Sequence, residues 1–275
     1  MKKLLAVLLA ALMLFAFAAC GGDKTATDTN TNATTSDLEY VKNNGKLIIG
    51  YTEFAPMNYY DAEGNFIGFE TDFAKAICAE LGVEAEFQLI KWSAKETELA
   101  SKNIDCIWNG MTITPERAEA MSISTPYMAN KQVLVVRAAD AEKYTTAEAM
   151  NGVAVVAEQE SAGEEVITTD AFFAGAEYTA VGDMATALKE VKAMTADACV
   201  VDYVTSIGMI GEGTDYADLV VVDAMAFADE QYGIAFRKDS DVTAAVNAAI
   251  TKLVDNGTLA DIAADYKLAE QIIAK

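Results

Sequence analysis

Asn109-Gly110-Met111-Thr112-Ile113-Thr114-Pro115-Glu116-Arg117 is the stretch around which the rest of the chain can be ordered. It joins a strand-like run, residues 104–108, to a helix start. Thr114 suits the N-cap, Pro115 the first helical position and Glu116 the first turn. Arg117 does not, because a cation there faces the positive end of the helix dipole. An anion is therefore expected nearby. Two sources would supply it: a surface ion pair with Glu116 or Glu119, or a bound anion held by the guanidinium fork, the Thr112 hydroxyl and free backbone N–H groups.

Upstream, residues 46–51 read as a buried strand. A turn follows at 61–65, and then a helix whose apolar residues Phe73, Ala76, Ile77 and Leu81 keep helical spacing up to Gly82. The alternation continues with a strand over 83–90, a helix over 94–101, the strand before Asn109 and the helix from Pro115. A strand over 131–137 leads to a second alternation. It has strands at 153–157, 177–181 and 198–201, with helices over 163–173, 183–193 and 203–210. Two last strands, 219–222 and 231–236, precede two helical segments over 241–273. Such alternation predicts an α/β fold with central sheets.

The bulk composition excludes several functions. The 275 residues carry 20 Lys+Arg against 42 Asp+Glu, a net charge of −22, which argues against nucleic acid as a partner. With no histidine, Ser-His-Asp and Cys-His catalysis and His-containing zinc sites are ruled out. No metal-spaced cysteine cluster occurs, and neither metal nor cofactor is expected. Cys78, Cys106 and Cys199 read as buried free thiols, with a Cys78–Cys106 bridge as the alternative.

Lys2 and Lys3 precede an apolar run, residues 4–19, that ends in small residues before Cys20, which is the pattern of a secretory signal. The run is too short for a good membrane span. Residues 21–37, rich in Thr, Asn, Asp and Gly, read as a flexible tether spanning roughly 20–25 Å.

These features together resemble the amino-acid-binding subgroup of the bacterial extracellular solute-binding proteins that serve ABC importers. The opening block Gly50-Tyr51-Thr52-Glu53-Phe54-Ala55-Pro56, the helix start Gly68-Phe69-Glu70-Thr71-Asp72, the Thr114-Pro115-Glu116-Arg117 segment and the Ala196-Asp197-Ala198-Cys199-Val200-Val201-Asp202 strand carry the resemblance. It runs from about residue 47 to about residue 267. It implies a two-lobe periplasmic-binding fold of type II, with a hinge between the lobes. Lobe one would hold residues 38–130 and 228–275, and lobe two residues 131–227.

The resemblance also implies roles for residues. Arg117, Thr112 and Gly110 would hold a ligand carboxylate, with Asn109 and Trp108 flanking the turn. Asp202 would bind an α-ammonium and could also cap the helix after it. Ser161 and the Ala162 backbone would touch the carboxylate from lobe two, with Glu160 standing where Gly is usual. Phe54 and Trp92 would sandwich the ligand side chain.

Tyr51 sits where relatives with basic ligands place an acid, so a polar or uncharged L-amino acid is implied, although Glu53 and Glu160 could meet a cation. Gln231 and Tyr232 are further cleft candidates. Residues 18–21 resemble a lipobox, which would lipidate Cys20 and anchor the chain to the outer face of the membrane (or the periplasmic side). The implied partners are a free amino acid, an ABC permease and, through the lipid, the membrane; the implied state is a monomer. The rivals are a dehydratase-like enzyme of the same fold and a ligand sensor for a membrane partner.

Overall fold

The computed structural model describes residues 36–275, without the side chains of residues 223–225. The expected signal sequence, the expected lipidation at Cys20 and most of the expected tether lie outside the described residues.

Two five-stranded sheets organise the chain. The first part runs α1 (Asp37–Asn44), β1 (Lys46–Tyr51), a hairpin of β2 (Tyr59–Tyr60) and β3 (Phe66–Ile67), α2 (Phe69–Leu81), β4 (Glu84–Leu89), α3 (Lys95–Ala100), β5 (Cys106–Ile107), α4 (Pro115–Ala120) and β6 (Ser122–Ile123). The middle part runs β7 (Met128–Arg137), β8 (Ala154–Glu158), α5 (Ala162–Thr169), β9 (Glu177–Val181), α6 (Met184–Lys192), β10 (Ala198–Asp202), α7 (Tyr203–Met209) and β11 (Leu219–Tyr232). The chain then returns as β12 (Ala235–Phe236), α8 (Val242–Asp255) and α9 (Thr258–Asp265).

Sheet order is β4-β1-β5-β12-β6 in the first lobe and β11-β7-β10-β8-β9 in the second. β12 pairs antiparallel with both β5 and β6, so the C-terminal segment closes the first sheet. Arg237 locks that return. Its guanidinium reaches Asp37 (2.9 Å), Asp105 (3.2 Å) and the Ile104 carbonyl (2.9 Å).

Strands with helices on both faces are buried on both sides, and β7 shows the result. Leu134 and Val136 enter one apolar cluster with Val155, Phe173 and Val200. Val133 and Val135 enter the opposite one with Leu188, Val191, Cys199 and Val201. Lobe one packs α2, α8 and α9 on its sheet through Phe69, Phe73, Ile77, Val246, Ile250 and Leu259. The three described cysteines are buried and free.

One expectation fails. The two last strands are not residues 219–222 and 231–236. Instead β11 runs unbroken from Leu219 to Tyr232, antiparallel to β7, with register shifts after Val221 and Ala226. Bulged pairing does not require the strict alternation that marks a strand in sequence, so the stretch between carried no signal. β7 likewise starts at Met128, three residues ahead of the expected start. These paired strands, β7 and β11, connect the two sheets, and the lobe limits drawn at 130/131 and 227/228 fall inside them.

Leu134 is fully buried. Leu134→Ala is expected to cost about 2–5 kcal/mol, the usual range for a buried leucine cavity, read from urea unfolding. A loss under 0.5 kcal/mol would contradict this packing.

Candidate functional site

The C-terminal ends of the parallel strands β1, β4 and β5 point to one side of lobe one, and those of β8 and β10 to one side of lobe two. Loops at such ends form the usual binding crevice of open α/β sheets. Here they meet at one small cavity, lined by Phe54, Trp92, Asn109, Gly110, Thr112, Arg117, Glu158, Ser161, Ala162, Met184 and Asp202.

Nine of the ten ligand-contact candidates drawn from sequence therefore line one cavity. Tyr51 does not. Its ring packs against Phe66 (4.7 Å between centroids) and Phe87 (6.1 Å), on the β4 side of the sheet. The specificity argument built on Tyr51 loses its footing with it. Trp108 is core, edge-on to Phe73. Glu53 and Gln231 are exposed and line other surface grooves.

The 109–117 turn is held from beneath. Gly110 adopts φ +58°, and a Cβ there would stand 2.6 Å from Phe54 Cε1. Its N–H donates to the Glu70 carboxylate (2.9 Å), which also accepts from Tyr127 Oη. Glu70 is fully buried, and burial raises its pKa to about 7. Asn109 is also committed within lobe one: Oδ1 accepts from Thr52 Oγ1 (2.6 Å) and Nδ2 donates to the Thr52 carbonyl (3.0 Å).

Thr114 caps α4, accepting from the Arg117 N–H (3.2 Å). Among the described residues the Arg117 guanidinium has no salt bridge, so neither Glu116 nor Glu119 is its anion. It donates instead to two carbonyls, Thr112 (2.9 Å) and, across the cleft, Glu160 (3.4 Å). Burial lowers its pKa, opposed by the carboxylates around it.

From lobe two, Asp202 ends β10 and is 3% exposed. Its carboxylate accepts from Tyr232 Oη (2.7 Å) and Gln132 Nε2. It does not cap α7; Asn130 Oδ1 does, accepting from the Val204 N–H (3.2 Å). Burial raises the Asp202 pKa, against the pull of Tyr232, Gln132, Asn130 and Arg117. Ser161 is the N-cap of α5, and its Oγ accepts from the Glu164 N–H (3.2 Å). Glu160 takes the left-handed backbone that Gly would favour, φ +59°. Its N–H donates to the Glu164 carboxylate (2.5 Å), which holds the turn in that conformation.

Several groups escaped the sequence reading. Lys95 is 2% exposed, stands 4.7 Å over the Trp92 ring and donates to the Glu160 carbonyl (3.3 Å). Burial, then Arg117, lowers its pKa to about 8. Glu230 accepts from Thr112 Oγ1 (3.1 Å), Asn130 Nδ2 (2.9 Å) and Gln132 Nε2 (3.0 Å). Glu158, the last residue of β8, is 3% exposed. Its Oε1 has no partner, and burial raises its pKa to about 8. An acid closing the apolar run 153–157 was the available signal for it.

Residues 47–269 match the bacterial extracellular solute-binding proteins, family 3. The arginine-binding extracellular protein ArtP of Bacillus subtilis is 30% identical, the alignment covering 94% of this chain and 95% of that one. The L-cystine-binding protein TcyJ of Escherichia coli is 29% identical, over 81% and 82%. Among solved structures, an ancestral amino acid-binding protein, a precursor of cyclohexadienyl dehydratase, superposes with a TM-score of 0.75 at 30% identity, over 84% of this chain and 99% of that one. The chain is a periplasmic-binding-type receptor by fold. It belongs to the bacterial extracellular solute-binding proteins, family 3, and so acts outside the cytoplasm. Among the described residues no helix is long and apolar enough to cross a membrane.

The buried acids have a consequence for stability. Glu70 and Glu158 titrate near 7 and 8 when folded, and burial raises Glu230 and Asp202 in the same sense. The unfolded chain titrates them in the ordinary carboxylate range, about 4. Between those limits the folded state binds more protons, so stability falls as pH rises from about 5 to 8. Lys95 acts in the opposite direction, above pH 8 only. The urea midpoint of the ligand-free chain is expected to be higher at pH 5.5 than at pH 8; equal or reversed midpoints would contradict the burial of these acids.

Proposed function

We propose that this chain captures a free L-amino acid between its lobes and delivers it to an ABC permease. One observation carries the reading: Arg117 from lobe one and Asp202 from lobe two, of opposite charge, line the same cavity. A zwitterion answers both. Its α-carboxylate takes the guanidinium fork, with help from the Thr112 hydroxyl and from the Ser161–Ala162 turn at the start of α5. Its α-ammonium takes the Asp202 carboxylate. Phe54 and Trp92 cover the side chain from lobe one.

Transport requires closure to depend on ligand. Only contacts that differ between open and closed states shift that balance. Arg117 and Asp202 supply such contacts from opposite lobes. Lys95 and Arg117 add donors to the Glu160 carbonyl when the lobes meet. Contacts made without ligand favour closure in its absence, so the ligand's own bonds must supply the remaining bias. The matched relatives are binding proteins with different ligands, which supports the class of function and leaves the side chain open. Lipidation at Cys20 would tether the receptor, as a monomer, beside its permease at the membrane surface.

An enzyme on this scaffold is the competing reading, and a buried acid such as Glu158 is the group it would use as a proton donor. No turnover of the captured compound is expected. A sensor role for a membrane partner would use the same site and differ in the protein that reads closure.

A thermal-shift screen of chain stripped of ligand, against the twenty amino acids, tests the reading. At 100 times Kd a true ligand adds about 2.7 kcal/mol. No shift with any amino acid would overturn it. Asp202→Ala is expected to cost about 3–5 kcal/mol of binding, because it leaves the ammonium buried and unpaired. Unchanged affinity by calorimetry would remove Asp202 from the clamp, and product formed from the bound amino acid would favour the enzyme.

A further inference from the structure

We propose that Glu158 reads the ligand side chain and selects one that carries a positive charge. This rests on the amino-acid reading above and goes beyond it, because Arg117 and Asp202 are satisfied by the zwitterion common to all amino acids.

The first observation is geometric. Glu158 lines the cavity that Arg117, Asp202, Phe54 and Trp92 also line. It is 3% exposed, and its Oε1 has no hydrogen-bond partner. A buried polar atom without a partner is costly, and one on a residue that lines a cavity can take its partner from a ligand. Its neighbours differ in this respect. Asp202 is already held by Tyr232 and Gln132, and Glu230 by Thr112, Asn130 and Gln132. Glu158 is the acid left to answer the ligand.

The second observation is charge. Two carboxyl groups, Asp202 and Glu158, line the cavity with one cation, Arg117. A zwitterion pairs with Arg117 and Asp202 and leaves Glu158 without a charged partner. A ligand with a cationic side chain supplies one. Burial first, then Asp202 and Asp183, holds the Glu158 proton on, and Lys95 alone opposes them. The carboxyl is therefore neutral at pH 7 in the ligand-free chain. Pairing with a ligand cation would ionise it, so binding would release a proton to solvent. A neutral amide or hydroxyl side chain would leave that proton in place.

The experiment is titration calorimetry of the full extracytoplasmic chain with L-arginine, L-lysine and L-glutamine at pH 7. Phosphate and Tris, which differ in ionisation enthalpy, report the protons exchanged. The expected result is that L-arginine or L-lysine binds at least about tenfold more tightly than L-glutamine and releases close to one proton. Glu158→Gln mimics the neutral acid, so the ligand-free thermal transition should persist. This variant should lose both the released proton and the preference. Proton exchange by Lys95 would be common to both proteins and cancels in their difference.

Tightest binding of L-glutamine without proton release would overturn the proposal and leave the amino-acid reading intact. Equal proton release with L-glutamine would place Glu158 on the α-ammonium and also overturn it. Binding of none of the three, together with no hit among the remaining amino acids, would overturn the proposal and the reading beneath it.

Discussion

The Asp202 carboxylate has two fixed partners, Tyr232 on β11 and Gln132 on β7, and most of the site depends on that arrangement. These are the strands that connect the two sheets. Any rotation of one lobe against the other must pass through them, so the group that faces the cavity from β10 is referenced directly to the connection between the lobes. Gln132 extends the link to Glu230, and Glu230 reaches Thr112 in the turn that carries Arg117. A continuous set of hydrogen bonds thus runs from the lobe-two acid, through the crossing strands, to the lobe-one cation. Satisfied bonds in a buried polar network fix geometry, and within this set the Gln132 Oε1 is left without a partner.

The cavity walls are rigid for a second reason. On the lobe-one side, Glu70 is buried on α2 and bonds the Gly110 N–H, so the turn is fastened to the helix beneath it. Gly110 then lies against the Phe54 ring at a distance that excludes a Cβ. On the lobe-two side, Glu160 is held in left-handed backbone and offers its carbonyl to Lys95 and Arg117. Strained backbone persists where its surroundings over-determine it, and such sites cluster at ligand clamps. The cleft closes at a point where lobe one brings two cations and lobe two a carbonyl.

Much of this was legible locally. Thr114-Pro115-Glu116 is a helix start whatever surrounds it, and a cation directly after it demands an anion. The structure removes the nearby acids from contention, since the Arg117 guanidinium bonds carbonyls across the turn and the cleft. Phe54, Trp92, Ser161 and Asp202 each end or follow a strand, and strand ends on one side of a parallel sheet converge. Tyr51 fails because it ends its strand one residue before the chain turns: its ring joins Phe66 and Phe87 instead of the cavity. The expected cap of α7 by Asp202 fails because Asn130, distant in sequence, lies closer to the Val204 N–H. β11 was hidden because its bulges break the alternation on which strand recognition depends.

What the sequence determined by itself follows from short-range chemistry: the alternation of strands and helices, the caps, the −22 charge and the absence of histidine. Those properties depend on neighbours within a few positions, so a linear reading recovers them. The tertiary structure decided what depends on distance through space. It placed Gln132, Glu230 and Lys95 around the clamp, and it left Glu158 with a buried oxygen and no partner. A glutamate at the end of a strand is ordinary in sequence. It becomes a specificity element only once two lobes close around it, because burial without a partner is what gives a carboxyl group the need for a ligand.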